Sequence, residues 1–310
     1  MAAAVSRAGI QAASERIRGF VRHTPVVDLG TVIDPGYRLS LKVDTMQPTG
    51  SFKVRGAFSL LTGREVPERG VVAASGGNFA LAIAYAAKEL GHHATAFVPS
   101  TSPEEKIGRI SRLGAEVRVI PGHYTEALEA SREWAARSGG LEAHAFDQPE
   151  VVAGQGTCGL EIMDQVPGAT SVLVPVGGGG LIGGIASWIR GGVNVVGVEP
   201  ELCPALHAAR LAGGPVSVDV GGVAVSSLGA SMLGEHAWMA NEWITASVLV
   251  SDEEILGAQR WLWDMCRVLA EPGACTPIAA LLTAAYVPEL GESVVAVISG
   301  ANTAGLAPQV

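Results

Sequence analysis

Several residue types and patterns are scarce or missing in this 310-residue chain, and each shortage narrows what the protein can be. Basic residues are outnumbered, 21 against 30 acidic ones, for a formal net charge of −9 with no basic run, which argues against a nucleic-acid partner. A small anionic ligand must then be caught by local backbone donors and not by the overall field. Cysteine occurs only at Cys158, Cys203, Cys266 and Cys275, without a C-x-x-C pair. Four scattered thiols read as small buried hydrophobes in a reducing compartment. The seven histidines show neither H-x-x-x-H nor His-Cys spacing, so no zinc site is expected. No apolar run reaches membrane-spanning length, and the N-terminus lacks a charged stretch followed by an apolar block. The expectation is a cytoplasmic protein with no membrane partner. What is present, 48% apolar against 16% charged residues, suits a compact fold with a sizeable core.

Lysine is also rare, with four in all: Lys42, Lys53, Lys88 and Lys106. Lys42 falls on the polar side of the alternating run Leu39-Ser40-Leu41-Lys42-Val43-Asp44, where a solvated amine is expected. Lys88 and Lys106 fall on predicted surface helices beside Glu89 and Glu105. Lys53 alone is framed by a turn and an aromatic neighbour, in Pro48-Thr49-Gly50-Ser51-Phe52-Lys53. Enzymes that hold an aldehyde cofactor covalently need one such amine, with its charge suppressed by burial or by neighbours.

Strand and helix patterns alternate along the whole chain. Strands are predicted at 38–43, 71–74, 94–98, 116–120, 171–176, 193–198, 244–250 and 293–298. Their Val, Ile and Ala runs lack clean alternation, as expected for strands covered on both faces. Ser102-Pro103-Glu104-Glu105 and Ser251-Asp252-Glu253-Glu254 carry N-cap and capping-box signals, the second before a stripe of Ile255, Ala258, Trp261, Leu262 and Met265. The fold expected is α/β, with two open, twisted, mostly parallel-sheet lobes. Soft boundaries at Pro67–Gly70 and Arg137–Gly140 suggest a large domain of residues 1–69 and 141–310, into which a small α/β domain of residues 70–140 is inserted.

Four segments at or near predicted strand ends carry chemistry. The first is the Lys53 turn, which alone reads equally well as a plain strand-to-helix connection. The second, Ala74-Ser75-Gly76-Gly77-Asn78-Phe79, offers glycines for close backbone approach, free N–H groups of a following helix, and the donors Ser75 and Asn78, a set suited to a carboxylate. Alone, it also reads as an ordinary Gly-rich turn with Asn78 as a cap. The third, Val176-Gly177-Gly178-Gly179-Gly180-Leu181, can turn consecutive N–H groups onto one phosphate. It has a competitor, because Gly178-x-Gly180-x-x-Gly183 matches the dinucleotide fingerprint and Glu199 follows Gly178 by 21 residues, where such folds place a ribose-binding acid. The fourth, Val297-Ile298-Ser299-Gly300-Ala301-Asn302, alone reads as a polar turn after a strand. A nicotinamide oxidoreductase would use only the third segment. An aldehyde cofactor with a phosphate tail gives all four a task.

With these motifs in order, and with His23-Thr24-Pro25, Gly154-Gln155-Gly156-Thr157, Gly197-Val198-Glu199-Pro200 and Glu271-Pro272-Gly273-Ala274 between them, the chain resembles the serine/threonine dehydratase group. These are pyridoxal-phosphate enzymes of fold type II (tryptophan synthase β-like), and the group includes serine racemase. The resemblance implies pyridoxal 5'-phosphate carried on Lys53 as a Schiff base, with Phe52 against the cofactor. It implies phosphate binding by Gly177, Gly178, Gly179, Gly180 and Leu181, the ring hydroxyl bonded by Asn78, and Ser299 facing the pyridine nitrogen. Ser75, Gly76, Gly77 and Asn78 would bind the substrate carboxylate. Lys53, displaced by the substrate amine, would be the base that takes the α-proton. A neutral serine at the ring nitrogen favours quick loss of a β-hydroxyl.

The activity so implied is removal of ammonia from L-threonine or L-serine to give a 2-oxo acid, with racemisation or β-replacement as alternatives, in a homodimer. Three departures bear on it. Gly76 stands where the racemase has a second serine, Phe79 where most dehydratases have histidine, and Ala205 where some relatives have a second metal-binding carboxylate. Dehydration is therefore favoured over racemisation, and no metal is expected. The chain ends soon after Ser299, so a regulatory domain with amino-acid feedback is not expected.

Overall fold

The computed structural model describes residues 4–303. Its strands are β1 (Val26–Gly30), β2 (Arg38–Val43), β3 (Val71–Ala74), β4 (Ala94–Pro99), β5 (Glu116–Ile120), β6 (Leu141–Ala143), β7 (Ser171–Pro175), β8 (Asn194–Pro200), β9 (Ala246–Val250) and β10 (Ser293–Ile298). Between them run helices α1 (Arg7–Ile17), α2 (Lys53–Gly63), α3 (Asn78–Leu90), α4 (Glu104–Arg112), α5 (Tyr124–Ser138), α6 (Pro149–Gln165) and α7 (Gly180–Ile189). The C-terminal part adds α8 (Ala205–Ala212), α9 (Val225–Leu228), α10 (Glu235–Met239), α11 (Asp252–Cys266) and α12 (Thr276–Leu282).

Two sheets form, one of six strands in the order β1-β2-β10-β7-β8-β9 and one of four in the order β5-β4-β3-β6. Every pairing is parallel except β1 with β2. The fold is thus the mostly parallel, two-sheet α/β architecture expected. All eight predicted strands are present, with ends differing by up to two residues. The two unpredicted strands are the weakest signals. β1 is a half-exposed edge, and β6 has three residues. β6 pairs with β3, Val71 opposite Leu141, so the smaller sheet continues past the boundary expected at residue 140. Gly139, in the left-handed region at φ 75°, ends α5 and returns the chain to that sheet.

Helix starts follow local chemistry unevenly. Ser251 caps α11 with a complete capping box shared with Glu254; of the expected stripe Ile255, Ala258 and Leu262 are buried, Trp261 is half-buried and Met265, in the last turn, is exposed. Ser102, by contrast, does not cap α4. Pro103 takes that place, and the Ser102 side chain is turned toward Gly76. Helices α6 and α7 pack closely because Gly156 and Gly184 meet, each leaving no room for a Cβ on the other.

Lys42 is the clearest departure from expectation. It is fully buried, bonded to Glu161 Oε2 (2.5 Å), Gln165 Oε1 (2.8 Å) and the Thr24 carbonyl (2.8 Å). Fully buried Arg55 completes a closed network, donating to Asp44 through Nε and Nη2 (both 2.8 Å) and to Glu161 Oε1 (2.6 Å). Two cations face two anions, and each has further partners, which is the condition for burying charge at tolerable cost. Burial alone would raise the Asp44 pKa, but Arg55, Lys42 and the Thr24 hydroxyl together hold it below its ordinary value. The network ties β2, α2 and α6 together, and its Arg55 follows Lys53 by two residues on α2.

Candidate active site

The Lys53 turn is pinned to the end of β10. Phe52 N–H donates to the Ser299 carbonyl (3.0 Å), Ala301 N–H donates to the Gly50 carbonyl (2.9 Å), and Ser51 pairs with Gly300 in an antiparallel bridge. Lys53 opens α2 and is partly buried. Its Nζ donates to the Ala145 carbonyl (2.9 Å) and lies 5.1 Å from the Phe52 ring centroid and 5.8 Å from that of Phe79. Burial brings its pKa down to about 8, with the Glu271 carboxylate pulling the other way. An amine in this state is available as a nucleophile and base near neutral pH.

The tetraglycine bend lies beside this amine through the loop after β6. A Cβ at Gly178 would overlap the Phe146 ring, and one at Gly180 would crowd the Phe146 carbonyl, so the backbone approach is possible only with glycine. Gly179 has φ 86° and meets Ala237 of α10. Among the described residues, no protein acceptor takes a hydrogen bond from the N–H of Gly177, Gly178, Gly179, Gly180 or Leu181. Gly178 to Leu181 are buried. Buried N–H groups are nearly always paired, so these four at a helix N-terminus, with the half-buried Gly177 N–H beside them, call for an anion with several oxygens.

The Ser75–Asn78 turn faces the same cleft from the smaller lobe. Ser75 Oγ accepts from Gly77 N–H (3.2 Å), and the N–H groups of Asn78, Phe79 and Ala80 open α3 without protein acceptors among the described residues. Asn78 is the first helical residue and not the cap. Its Nδ2 donates to Glu271 Oε1 (2.7 Å), and its Oδ1 accepts from Asn302 Nδ2 (2.9 Å). Phe79 is buried. Ser299 is 3% exposed at the end of β10. The four segments therefore converge.

Three participants carried no role in the sequence reading. Glu271 is buried against Gly300, and burial raises its pKa against the Asn78 hydrogen bond and the charges of Lys106, Lys53 and Arg109. Arg109 donates to Asn302 Oδ1 (2.7 Å). The Ala145–Phe146 backbone links Lys53 to the glycine bend. Only the Glu-Pro-Gly start at 271 was a visible local signal. Ser226 meets Gly77 with its carbonyl, while Ser227 Oγ turns to the Ala224 carbonyl (3.3 Å).

With this geometry in view, comparisons with known proteins converge. The family description "Pyridoxal-phosphate dependent enzyme" matches residues 17–300. The chain belongs to this family. A curated relative, the L-threonine ammonia-lyase of Geobacter sulfurreducens, is 36% identical over 300 residues, covering 94% of this chain and 74% of its own. A solved structure of a T.th. threonine deaminase superposes with TM-score 0.90 at 33% identity, covering 98% of this chain and 100% of its own. A maize serine racemase structure gives TM-score 0.91 at 27% identity, covering 97% and 94%.

The residues present fit pyridoxal phosphate. Five unpaired N–H groups suit its phosphate, and a desolvated amine suits its aldehyde. The nicotinamide reading lacks its acid. Fully buried Glu199 is engaged inside the large lobe, accepting from the N–H groups of Leu206 (2.7 Å) and His207 (2.9 Å) at the start of α8 and from Ser247 Oγ (3.1 Å). Burial still lifts its pKa to about 7 against those donors. Among the described residues no group of three or more His, Cys, Asp or Glu is placed to hold a metal ion, and no helix is long and apolar enough to cross a membrane.

Proposed function

We propose that the protein removes ammonia from a small β-hydroxy amino acid, L-threonine or L-serine, leaving the 2-oxo acid. The observation that carries this reading is Lys53: an amine with its pKa lowered to about 8, near the Phe52 and Phe79 rings and joined by the Ala145–Phe146 backbone to the bend with the unpaired N–H groups.

When bound, the cofactor supplies an aldehyde to capture the substrate amine and a sink for the α-carbon's electrons. Lys53 would hold it through Nζ and, once released by the incoming substrate amine, would take the α-proton on that freed Nζ. General-base groups so placed contribute about 10²–10⁴-fold. Gly177 to Leu181 would hold the phosphate through N–H groups, Phe52 would flank the ring, and Asn78 would donate to the ring hydroxyl. Ser299 would offer a neutral hydroxyl to the ring nitrogen. The substrate carboxylate sits at Ser75, Gly76, Gly77 and Asn78, where the N-terminus of α3 adds partial positive charge. The bond from the β-carbon to its hydroxyl breaks, water leaves, and water returns in hydrolysis, so the net loss is ammonia.

Racemisation needs a second proton-exchanging side chain on the opposite face. Gly76 has none of its own. We also read the protein as a cytoplasmic homodimer. All four cysteines are unpaired and three are buried, which suits a reducing compartment.

A panel of β-hydroxy amino acids assayed for 2-oxo acid and for enantiomer tests the activity. D-serine accumulating without pyruvate would overturn it. Borohydride reduction with peptide mapping tests Lys53 directly, and light scattering tests the dimer.

A further inference from the structure

Asn302 and Asn78 form a chain of side-chain amides whose polarity is fixed from outside the site. Arg109 lies on α4 of the smaller lobe and reaches the end of β10, where its Nη2 donates to Asn302 Oδ1 at 2.7 Å. A guanidinium carries donors only, so the amide oxygen must face it. Asn302 Nδ2 is then left to donate to the Thr49 carbonyl (2.8 Å) and to Asn78 Oδ1 (2.9 Å). With its oxygen used, Asn78 turns its Nδ2 to Glu271 Oε1 (2.7 Å). Donor-to-acceptor order therefore runs one way, from Arg109 to Glu271. Arg109, Asn302 and Asn78 line a small cavity of about 10 Å³, room for about one water; Asn302 is buried, while Arg109 and Asn78 are half-buried.

We propose that Arg109 is a positioning residue that sets, from the smaller lobe, the direction in which Asn78 presents its amide donor to the cofactor. The proposal rests on the reading of Asn78 as a cofactor ligand. The Thr49 carbonyl supports the same sense from the far side of Asn302. Losing the guanidinium therefore loosens the chain, whereas an acceptor at position 109 opposes it. A carboxylate there would face the Asn302 oxygen. If the amide flipped instead, that oxygen would meet two others, those of Thr49 and Asn78.

The test uses the full-length, cofactor-free protein with Arg109→Lys, Arg109→Met and Arg109→Glu, titrated with pyridoxal phosphate and read by absorbance. The Lys variant keeps the wild-type dissociation constant within about threefold, Met weakens it further, and Glu weakens it by about tenfold or more, the factor expected when a buried hydrogen bond is set against itself. Melting temperatures confirm that each variant is folded. Arg112→Glu places an acid at an exposed position on the same helix, away from this cavity. Equal losses in Arg112→Glu and Arg109→Glu, or equal losses in Arg109→Met and Arg109→Glu, overturn the inference. A second readout does not involve the cofactor: exchange of the Asn302 and Asn78 side-chain amide protons is slow in wild type and Arg109→Lys and at least about tenfold faster in Arg109→Glu, being freed of partners. Unchanged exchange overturns the proposal. Wild-type cofactor affinity in Asn78→Ala would instead defeat the reading of Asn78 and leave the exchange result standing.

Discussion

Gly178→Ala is the sharpest probe of the phosphate cradle. A Cβ there would overlap Phe146, and the ring has little freedom to retreat. It packs edge-on against His144 at 4.6 Å between centroids, and His144 Nδ1 accepts from the N–H groups of Phe146 (3.4 Å) and Asp147 (2.9 Å). Moving the loop also moves the Ala145 carbonyl, the acceptor for Lys53 Nζ. Over-packing of this kind costs about 1–3 kcal/mol, which lowers the melting temperature by roughly 2–10 °C in a chain of this size. The larger effect is expected on function, because displacing a binding loop by ~1 Å costs about 10²-fold in turnover. Gly168→Ala is the control, since Gly168 is exposed and a Cβ there meets nothing. Calorimetry, cofactor titration and keto-acid release would be measured on both variants. If Gly178→Ala melts, binds cofactor and turns over as Gly168→Ala does, the glycines are not required for backbone approach and the cradle argument fails.

Three further outcomes are expected. In the cofactor-free protein, the reactivity of the Lys53 amine toward an acylating reagent rises with pH through a midpoint near 8, and Glu271→Gln moves that midpoint lower by removing the charge that opposes desolvation; a wild-type midpoint above about 10 contradicts the buried setting. Glu161→Ala leaves Lys42 and Arg55 buried with only Asp44 as counter-charge and destabilises the protein by about 3–5 kcal/mol in denaturant titration, whereas a loss below about 1 kcal/mol would mean that water reaches the network. Asp147, whose pKa falls to about 2 because bonds from His236 and the Glu235 N–H overcome burial, contributes stability that is present above its unfolded value near 3.8 and is lost as pH falls through 2; Asp147→Asn flattens the acid limb of a stability-against-pH curve, and an unchanged limb would refute this.

Most strands were legible because their Val, Ile and Ala runs are long enough to mark elements covered on both faces, as in β7, β8 and β10. β1 and β6 escaped because one is a half-exposed edge and the other is three residues held by pairing with β3. With β6 went the loop that follows it, and so Phe146, whose ring shapes the glycine bend. Lys42 was misread for a different physical reason. Periodicity shows that side chains alternate, but not what lies opposite them, and the partner that permits burial, Glu161, is 119 residues away. Arg109 and Glu271 are of the same kind. Arg109 sits in an unremarkable local context and Glu271 only in a Glu-Pro-Gly helix start, and each gains its place from contact across the cleft.

The convergence of the site segments follows from strand order, a quantity that local sequence does not carry. β2, β10 and β7 are adjacent and parallel, so their C-terminal ends lie at one edge of the sheet. β2 runs on through a short turn to Lys53, β10 ends beside Ser299, and β7 opens into Gly177 to Leu181. Once those strands are neighbours, an amine, a hydroxyl and an anion cradle must also be neighbours, although Lys53, Gly177 and Ser299 lie far apart along the chain. The remaining segment, Ser75 to Asn78, follows β3 in the other sheet. It reaches this edge only because the smaller lobe faces it, and the bond from Asn78 to Glu271 and the bond from Arg109 to Asn302 both cross that gap. The amine, the hydroxyl and the glycine bend are thus brought together by one sheet, yet the loop after β6 of the other sheet supplies the Ala145 carbonyl to Lys53 and the Phe146 ring to the glycine bend. Substitutions that loosen the lobes should accordingly weaken cofactor attachment as well as raise the substrate requirement.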